Sequence, residues 1–476
     1  MRKDMLTRVA VTHRMCFVEY ESREKKMENK MGTMPVGRLI LNMAWPAMLS
    51  MMILALYNIV DSFFVARIGE EALAAITYIF PVQMVQMSCA IGTGVGINSL
   101  ISRRLGARRM EEANLAASHG YRLAFFNWAG FALVGIFLSR PILDVMTDTT
   151  YILDEGTKYM TIVLVGSLFV FVQVFTEKII QATGNMILPM FCSILGACFN
   201  IGLDPLLIFG IGPFPEMGVA GAAVATITGQ FFAMCLGQYM LFGRKHPVKV
   251  KLRGFPWQGA IVKDIYSVGF PAILMQCIGS VMQFGMNMIL GSFTETAVAV
   301  MGVYGRLQSF IFMPVFGLNQ GVLPIMGYNY GAKNKKRLME AYKKGFIFAF
   351  VIMAAGLLVF QLFPHEIMSA FNAQGNQDMY DIGVPALRAV SWCFLPASYG
   401  IMTSSVFQGT GHGFLSLWSS LIRQLVGILP IAFILGKLYG LSAVWWSFPL
   451  AEILGTTYLI IAFVWLYKKD IKHLGE

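Results

Sequence analysis

The chain has 476 residues, 56% of them hydrophobic and only 13% charged, with a mean hydropathy of +0.62. A soluble protein carries about 25% charged residues, so a soluble globular domain is excluded. The 37 Lys and Arg exceed the 26 Asp and Glu, but the surplus sits in alternate loops, which reads as a membrane-topology signal and argues against a nucleic-acid partner.

Residues 1–30, MRKDMLTRVAVTHRMCFVEYESREKKMENK, are charged and lack the uninterrupted apolar core of a signal peptide. They match nothing in the architecture that follows. The expectation is an N-terminal extension upstream of a true translation start at Met27 or Met31. Apolar runs then recur near 38–66, 73–102, 116–139, 158–180, 186–211, 218–242, 262–291, 295–324, 345–363, 382–406, 414–437 and 440–467. Each is long enough for the ~20 residues that a crossing helix requires. The fold class is therefore an all-α polytopic membrane protein with about twelve transmembrane helices. Loop charge sets the orientation. Arg103, Arg104, Arg108 and Arg109 follow the second span, Arg244 to Arg253 hold five basic residues after the sixth, and Lys333 to Lys344 hold six after the eighth. The intervening loops are acidic, with Asp144, Asp148, Asp154, Glu155, Glu216 and Glu295 among them. Both termini are expected on the cytoplasmic side.

The chain also repeats itself. Trp45-Pro46 matches Phe270-Pro271, Gly106-Ala107 matches Gly331-Ala332, and IGLDP (201–205) matches VGILP (426–430), all at an offset of 225. QATG at 181 matches QGTG at 408 with a slip of two, and GVAGAA at 218 matches GLSAVW at 440. Each copy holds about six spans, an even number, so the copies share orientation and are related by an axis along the membrane normal. The expected organisation is a six-helix lobe over 31–242, a basic cytoplasmic linker over 243–261, a second lobe over 262–467 and a cytoplasmic tail over 468–476. Gly92 and Gly96 lie at GxxxG spacing, where close helix packing is the better reading than a nucleotide loop, since no strand precedes them and no lysine follows.

Polar residues inside apolar spans are the functional candidates, because a charge at mid-bilayer costs at least ~2.5–3.5 kcal/mol. Asn200 and Asp204 stand four apart on one helix face, and Pro205, lacking an N–H, frees the carbonyl of Ile201. Asn58 and Asp61 in the first span supply a partner set at i,i+3. At the repeat offset, Asp61 falls on Met286, Asn200 on Leu425 and Asp204 on Leu429. Only the first lobe has the acids, so the ion-coupling site is placed there. The alternative is that Asp61 and Asp204 are solvated or capped near the span ends, with Arg67 close to Asp61. Gln173, Glu177 and Gln181 form a stripe that either lines the first-lobe cavity or, with Lys178, is interfacial. Gln276, Ser280, Gln283 and Asn287 share one face of the seventh span, toward the cavity or toward another helix. Arg306, Arg388, Arg423 and Glu452 are second-lobe candidates for pairing with one another.

The stretches WPAMLSMMILALYNIVDSFFVARIGEEALAA (45–75), GTGVGINSLISRRLGARRMEEAN (92–114), QATGN (181–185), NIGLDPLLIFG (200–210) and FGLNQGVLPIMGYNYGAKNKKR (316–337) strongly resemble the MATE (multidrug and toxic compound extrusion) transporters. The likeness is to the bacterial branch related to DNA-damage-inducible F proteins and staphylococcal-type multidrug exporters, and it covers roughly 31–470. It implies two six-helix lobes around a V-shaped central cavity, in the bacterial cytoplasmic (inner) membrane. It implies export of small organic cations by a monomer among membrane lipids, in exchange for H⁺ or Na⁺ and with no further cofactor. It assigns coupling to the positions that are here Asp61, Asn200 and Asp204. An enzyme is not expected, since His365 in PHEIM (364–368) lacks the second His of a zinc site and His119 and His412 have no matching ligands. The alternative function is a flippase for lipid-linked sugar precursors, which calls for a strongly cationic cavity.

Overall fold

A computed structural model describes residues 30–243, 246–372 and 376–475, and every regular element among them is helical. Residues 1–29, almost all of the expected extension, lie outside the described residues. The first half runs α1 (Lys30–Thr33), α2 (Val36–Ala66), α3 (Glu70–Gly106), α4 (Met110–Phe137), α5 (Ser139–Asp144), α6 (Thr150–Val165), α7 (Ser167–Ala182), α8 (Ile187–Ile208) and α9 (Gly218–Phe242). The second half runs α10 (Gly259–Gly291), α11 (Glu295–Gly331), α12 (Lys335–Leu362), α13 (Pro364–Phe371), α14 (Gln377–Ser391) and α15 (Phe394–Gly409). It continues with α16 (Gly413–Leu421), a π-helical stretch (Ile422–Ile428), α17 (Leu429–Tyr439), α18 (Leu441–Val444) and α19 (Ser447–Lys469).

Among the described residues nine spans are long and apolar enough to cross a membrane, and α6 with α7, bent by 40° at Gly166, makes a tenth. Two more complete the twelve-helix fold: α4, whose apolar stretch carries Arg122 and Asn127, and the α14–α15 pair, broken at Trp392 and Cys393. The protein is a multi-pass membrane protein.

The two lobes meet along a seam made of glycine. A Cβ on Gly96 of α3 would stand 2.1 Å from the Ile265 carbonyl oxygen of α10, and one on Gly92 would stand 2.7 Å from the Ile273 nitrogen. Their repeat mates on α11 do the same to α2. A Cβ on Gly317 would be 2.5 Å from Met48 Cα, and one on Gly321 would be 2.9 Å from the Ala44 nitrogen. Gly106 and Gly331 meet each other's helices, each with a carbonyl oxygen, of Tyr328 and Arg103 respectively, 1.9 Å from where a Cβ would be. Gly92, Gly96 and Gly106 map onto Gly317, Gly321 and Gly331 at an offset of 225, so the axis between the lobes is a pseudo-twofold. The GxxxG expectation holds, with the added finding that these glycines pack lobe against lobe.

The seam lies toward the end of the molecule that carries the described termini. There Asn329 Nδ2 and Arg337 Nη2 donate to the Met31 carbonyl at 3.3 and 3.1 Å, and Lys335 Nζ donates to the Lys472 carbonyl at 3.1 Å. Arg104 joins Glu112 and Asp264 at 3.0 and 3.1 Å. Farther along the same helix faces, Met52, Leu56, Val85, Phe284 and Phe310 are exposed. The lobes part there and leave a cleft that opens on the side away from the termini.

Gly106→Ala and Gly331→Ala each set a methyl against backbone of the opposite lobe, so each should destabilise by about 1–3 kcal/mol, as overpacking does. Gly130→Ala, with nothing within 4 Å, should be neutral or slightly stabilising. Thermal unfolding in detergent checks this, and indistinguishable melting temperatures for the three variants would contradict the seam.

Candidate functional site

Glycines also set up the first-lobe site. A Cβ on Gly229 of α9 would be 2.6 Å from the Gly196 carbonyl oxygen of α8, and one on Gly221 would be 2.5 Å from the Leu207 carbonyl oxygen. The backbones of α8 and α9 therefore touch, which brings Asn200 and Asp204 (2% and 0% exposed) against Thr226. Asn200 Nδ2 donates to Asp204 Oδ1 at 3.5 Å and to Thr226 Oγ1 at 3.3 Å. The helix continues through Pro205 to Ile208, so the proline removes one donor without breaking the span. Helix α2 brings Asp61 to the same region, flanked with Asp204 by Tyr57 and Tyr159. Gln83 Nε2 donates to the Tyr159 hydroxyl at 3.3 Å.

What this cluster lacks is decisive. Among the described residues Asp61 Oδ1, Asn200 Oδ1 and Asp204 Oδ2 are all buried with no hydrogen-bond partner. Among the described residues no Lys, Arg or His lies within ion-pair distance of either carboxylate. Arg67, the nearest cation in sequence, places its guanidinium over the Phe63 ring at 4.5 Å. A buried polar atom without a partner is costly, and three acceptors without a donor are what a proton or a hard cation completes. The backbone of Asn58 lies in α2, but its side chain is outside the described residues.

The α7 stripe is polar and partly buried. Gln173 Nε2 donates to Glu177 Oε1 at 3.0 Å, and Gln181 is buried. Lys178, interfacial in one reading of the sequence, is only 7% exposed. Its ammonium donates to Gln181 Oε1 at 3.0 Å and, across the seam, to Gln320 Oε1 of α11 at 2.8 Å. Sequence reasoning missed Gln320, Thr226 and the two tyrosines, and it named Lys178 only as an interfacial residue. Only mid-span polarity marked Thr226, and nothing in the sequence pairs Lys178 with Gln320.

Gln276, Ser280, Gln283 and Asn287 continue the α10 face that carries Gly269, which packs on Gly92 and Thr93. Arg306 lies three turns from Gly317 on the matching face of α11 and is exposed. Of the four charged second-lobe candidates only Arg423 and Glu452 pair, at 2.8 Å. Among the described residues Arg306 and Arg388 make no ion pair, a correction to their grouping, because exposure on separate helices leaves each to its own surroundings.

The family model MatE matches residues 46–206 and 271–434, one segment in each lobe. The chain belongs to the MATE family. It is a transporter, not an enzyme. Among relatives, a FAD transporter of Shewanella oneidensis is 27% identical over 427 residues, spanning 88% of this chain and 92% of that protein. The multidrug export protein MepA of Staphylococcus haemolyticus is 26% identical over 426 residues, spanning 88% and 91%. A solved outward-facing multidrug resistance MATE family transporter of the MOP superfamily superimposes with a TM-score of 0.86 at 28% identity, covering 94% of this chain and 98% of that one.

In this MATE chain Arg423 and Glu452 satisfy one another inside the second lobe. Arg423→Met should therefore destabilise by about 3–5 kcal/mol by leaving the buried Glu452 carboxylate unpaired, whereas Arg423→Met combined with Glu452→Leu should be near neutral. Thermal unfolding of the three proteins decides it. A double variant as unstable as the single one would show that the pair does more than neutralise itself.

Proposed function

We propose that this MATE transporter is a secondary active exporter of small organic cations, exchanging them for H⁺ or Na⁺ by alternating access. Asp61, Asn200 and Asp204, with Asn58 beside them, form the coupling site. The observation that carries this reading is the trio of oxygens in the first lobe, two of them on carboxylates, that have no partner and no cationic side chain in ion-pair reach among the described residues. Their repeat mates are apolar, and Met286 is buried in the second-lobe core. Packing alone does not call for acids in one copy only. The name of the MepA relative, a multidrug export protein, supports drug export as the task.

On this reading the lobes are 31–242 and 262–467, joined by the linker 243–261. The termini and the seam face the cytoplasm of a bacterial inner membrane, and the cleft opens outward. Gln276, Gln283, Asn287 and Arg306 line its second-lobe wall, and Gln173, Glu177 and Gln181 lie at its first-lobe base. One monomer suffices, because both lobes come from one chain. The driving force is adequate, since one charge crossing 100 mV is worth ~2.3 kcal/mol. The lipid-precursor flippase is less well supported, as it calls for a strongly cationic cavity and the first lobe presents unpaired acids.

The test is efflux of a fluorescent organic cation from proteoliposomes under an imposed pH gradient or an imposed sodium gradient. One gradient should drive transport in the wild type, and Asp204→Asn should reduce it to the level of empty liposomes. Undiminished transport by Asp204→Asn would make that residue structural, and no cation transport under either gradient would turn the assignment toward the flippase.

A further inference from the structure

Lys178 is a buried ammonium held by neutral amide oxygens, those of Gln181 and Gln320, with no carboxylate in ion-pair distance among the described residues. The residue before it carries the opposite charge and is treated the same way: Glu177 is held by the Gln173 amide, whose own oxygen is buried without a partner. Two adjacent, opposite charges thus stand on one helix, each held by amide groups and with no direct ion pair between them. Packing also makes room for Lys178. A Cβ on Gly94 would be 2.8 Å from its Cγ, so glycine there lets the long side chain lie across α3 and reach the other lobe. The repeat mates of Gly94 and Lys178 are Asn319 and Ser405, which bond to each other within the second lobe. That pair is neutral and closed, whereas the first-lobe arrangement is charged and reaches across the seam at the level where the cleft begins.

We infer that Lys178 is a specificity-determining residue for zwitterionic cargo, its ammonium taking an anionic oxygen of the cargo in place of the Gln320 amide. Cargo that brings a carboxylate supplies a charge-assisted bond stronger than the neutral one it displaces, and its cationic end has Glu177 and the free oxygen of Gln173 one turn along the helix. Because Gln320 belongs to the other lobe, cargo and seam compete for one ammonium. An anionic group at this position therefore releases a cross-lobe bond as it binds. This rests on the reading of the cleft as the cargo path.

The experiment measures the binding of two matched probes, norfloxacin (a zwitterion) and its ethyl ester (a cation), to the full chain in nanodiscs of uncharged phosphatidylcholine. The ratio of their affinities isolates the carboxylate. Lys178→Met should lower the acid-to-ester affinity ratio by about tenfold or more, the effect of losing a net bond to a charged group. Lys178→Arg should restore most of it, and Gln320→Leu, which removes the competing oxygen, should raise it. An unchanged ratio in Lys178→Met, or a fall in Gln320→Leu, overturns the inference. If Lys178→Met does not fold, Gln320→Leu decides it: a raised ratio supports the inference, and an unchanged or lowered one overturns it. Ester binding in the wild type separates the two readings: binding of both probes with an unmoved ratio sinks only the role of Lys178, and binding of neither sinks cargo transport with it.

Discussion

Backbone-to-backbone contact between the lobes is the constraint on which the rest of this molecule depends. Lipid tails are as apolar as leucine, so helices in a bilayer gain little from burying apolar area against one another and must rely on close packing. Glycine permits that closeness, and here it does so in symmetry-related pairs, Gly92 with Gly317, Gly96 with Gly321 and Gly106 with Gly331. The seam lets two bundles behave as one body at one end and diverge at the other. It also fixes which way every other face points. The α10 polar stripe continues the face that carries Gly269, and Lys178 can cross between lobes only because Gly94 leaves the space.

On that symmetric frame the chemistry is asymmetric. The first lobe keeps carboxylate and amide oxygens buried without donors. The second lobe closes its charges internally, with Arg423 against Glu452 and Asn319 against Ser405. It also departs from regular geometry at the level where the first lobe keeps its acids: Leu425 and Leu429 stand in or beside the π-helical stretch that replaces the ordinary turn of the first copy. A widened turn is a frequent mark of functional adaptation, and here it lies beside Arg423, so the second lobe has used its irregularity to seat an ion pair and the first has used its polarity to leave a site open.

Much of this was legible in the sequence, for reasons that can be named. The spans followed from the length that a bilayer imposes, and the pseudo-twofold followed from an ordered series of matches at one offset, which the positions of the seam glycines reproduce. Asp61, Asn200 and Asp204 stood out because charge at membrane depth is expensive. The helical spacing of Asn200 and Asp204 put them on one face, as they are. What was not legible depends on contacts between distant helices. Thr226 joins the cluster only because Gly196 and Gly229 draw α8 onto α9, and Lys178 meets Gln320 across 142 residues of chain. The π-helical turn has no marker in composition. The grouping of Arg306 and Arg388 with Arg423 failed because like residue type in one lobe says nothing of which helix faces they occupy.

Helix α2 ties the two themes together. It is 31 residues long, and a single span carries both the seam contacts at Ala44 and Met48 and the acid at Asp61. Those positions are separated by roughly 20–25 Å of helix at 1.5 Å per residue. On the proposed reading, occupancy of the oxygen trio must bias the seam, since a transporter couples only if ion binding favours one lobe arrangement over the other. A rigid rod joining the two would transmit every displacement of Asp61 to the seam. Pro46, between the seam residues, removes one backbone hydrogen bond and makes that point the weakest in the helix. Its repeat mate Pro271 sits at the same place in α10, between Gly269 and Ile273. Helices α2 and α10 thus both place their internal proline within the seam itself, and only α2 has an acid at the far end of the lever.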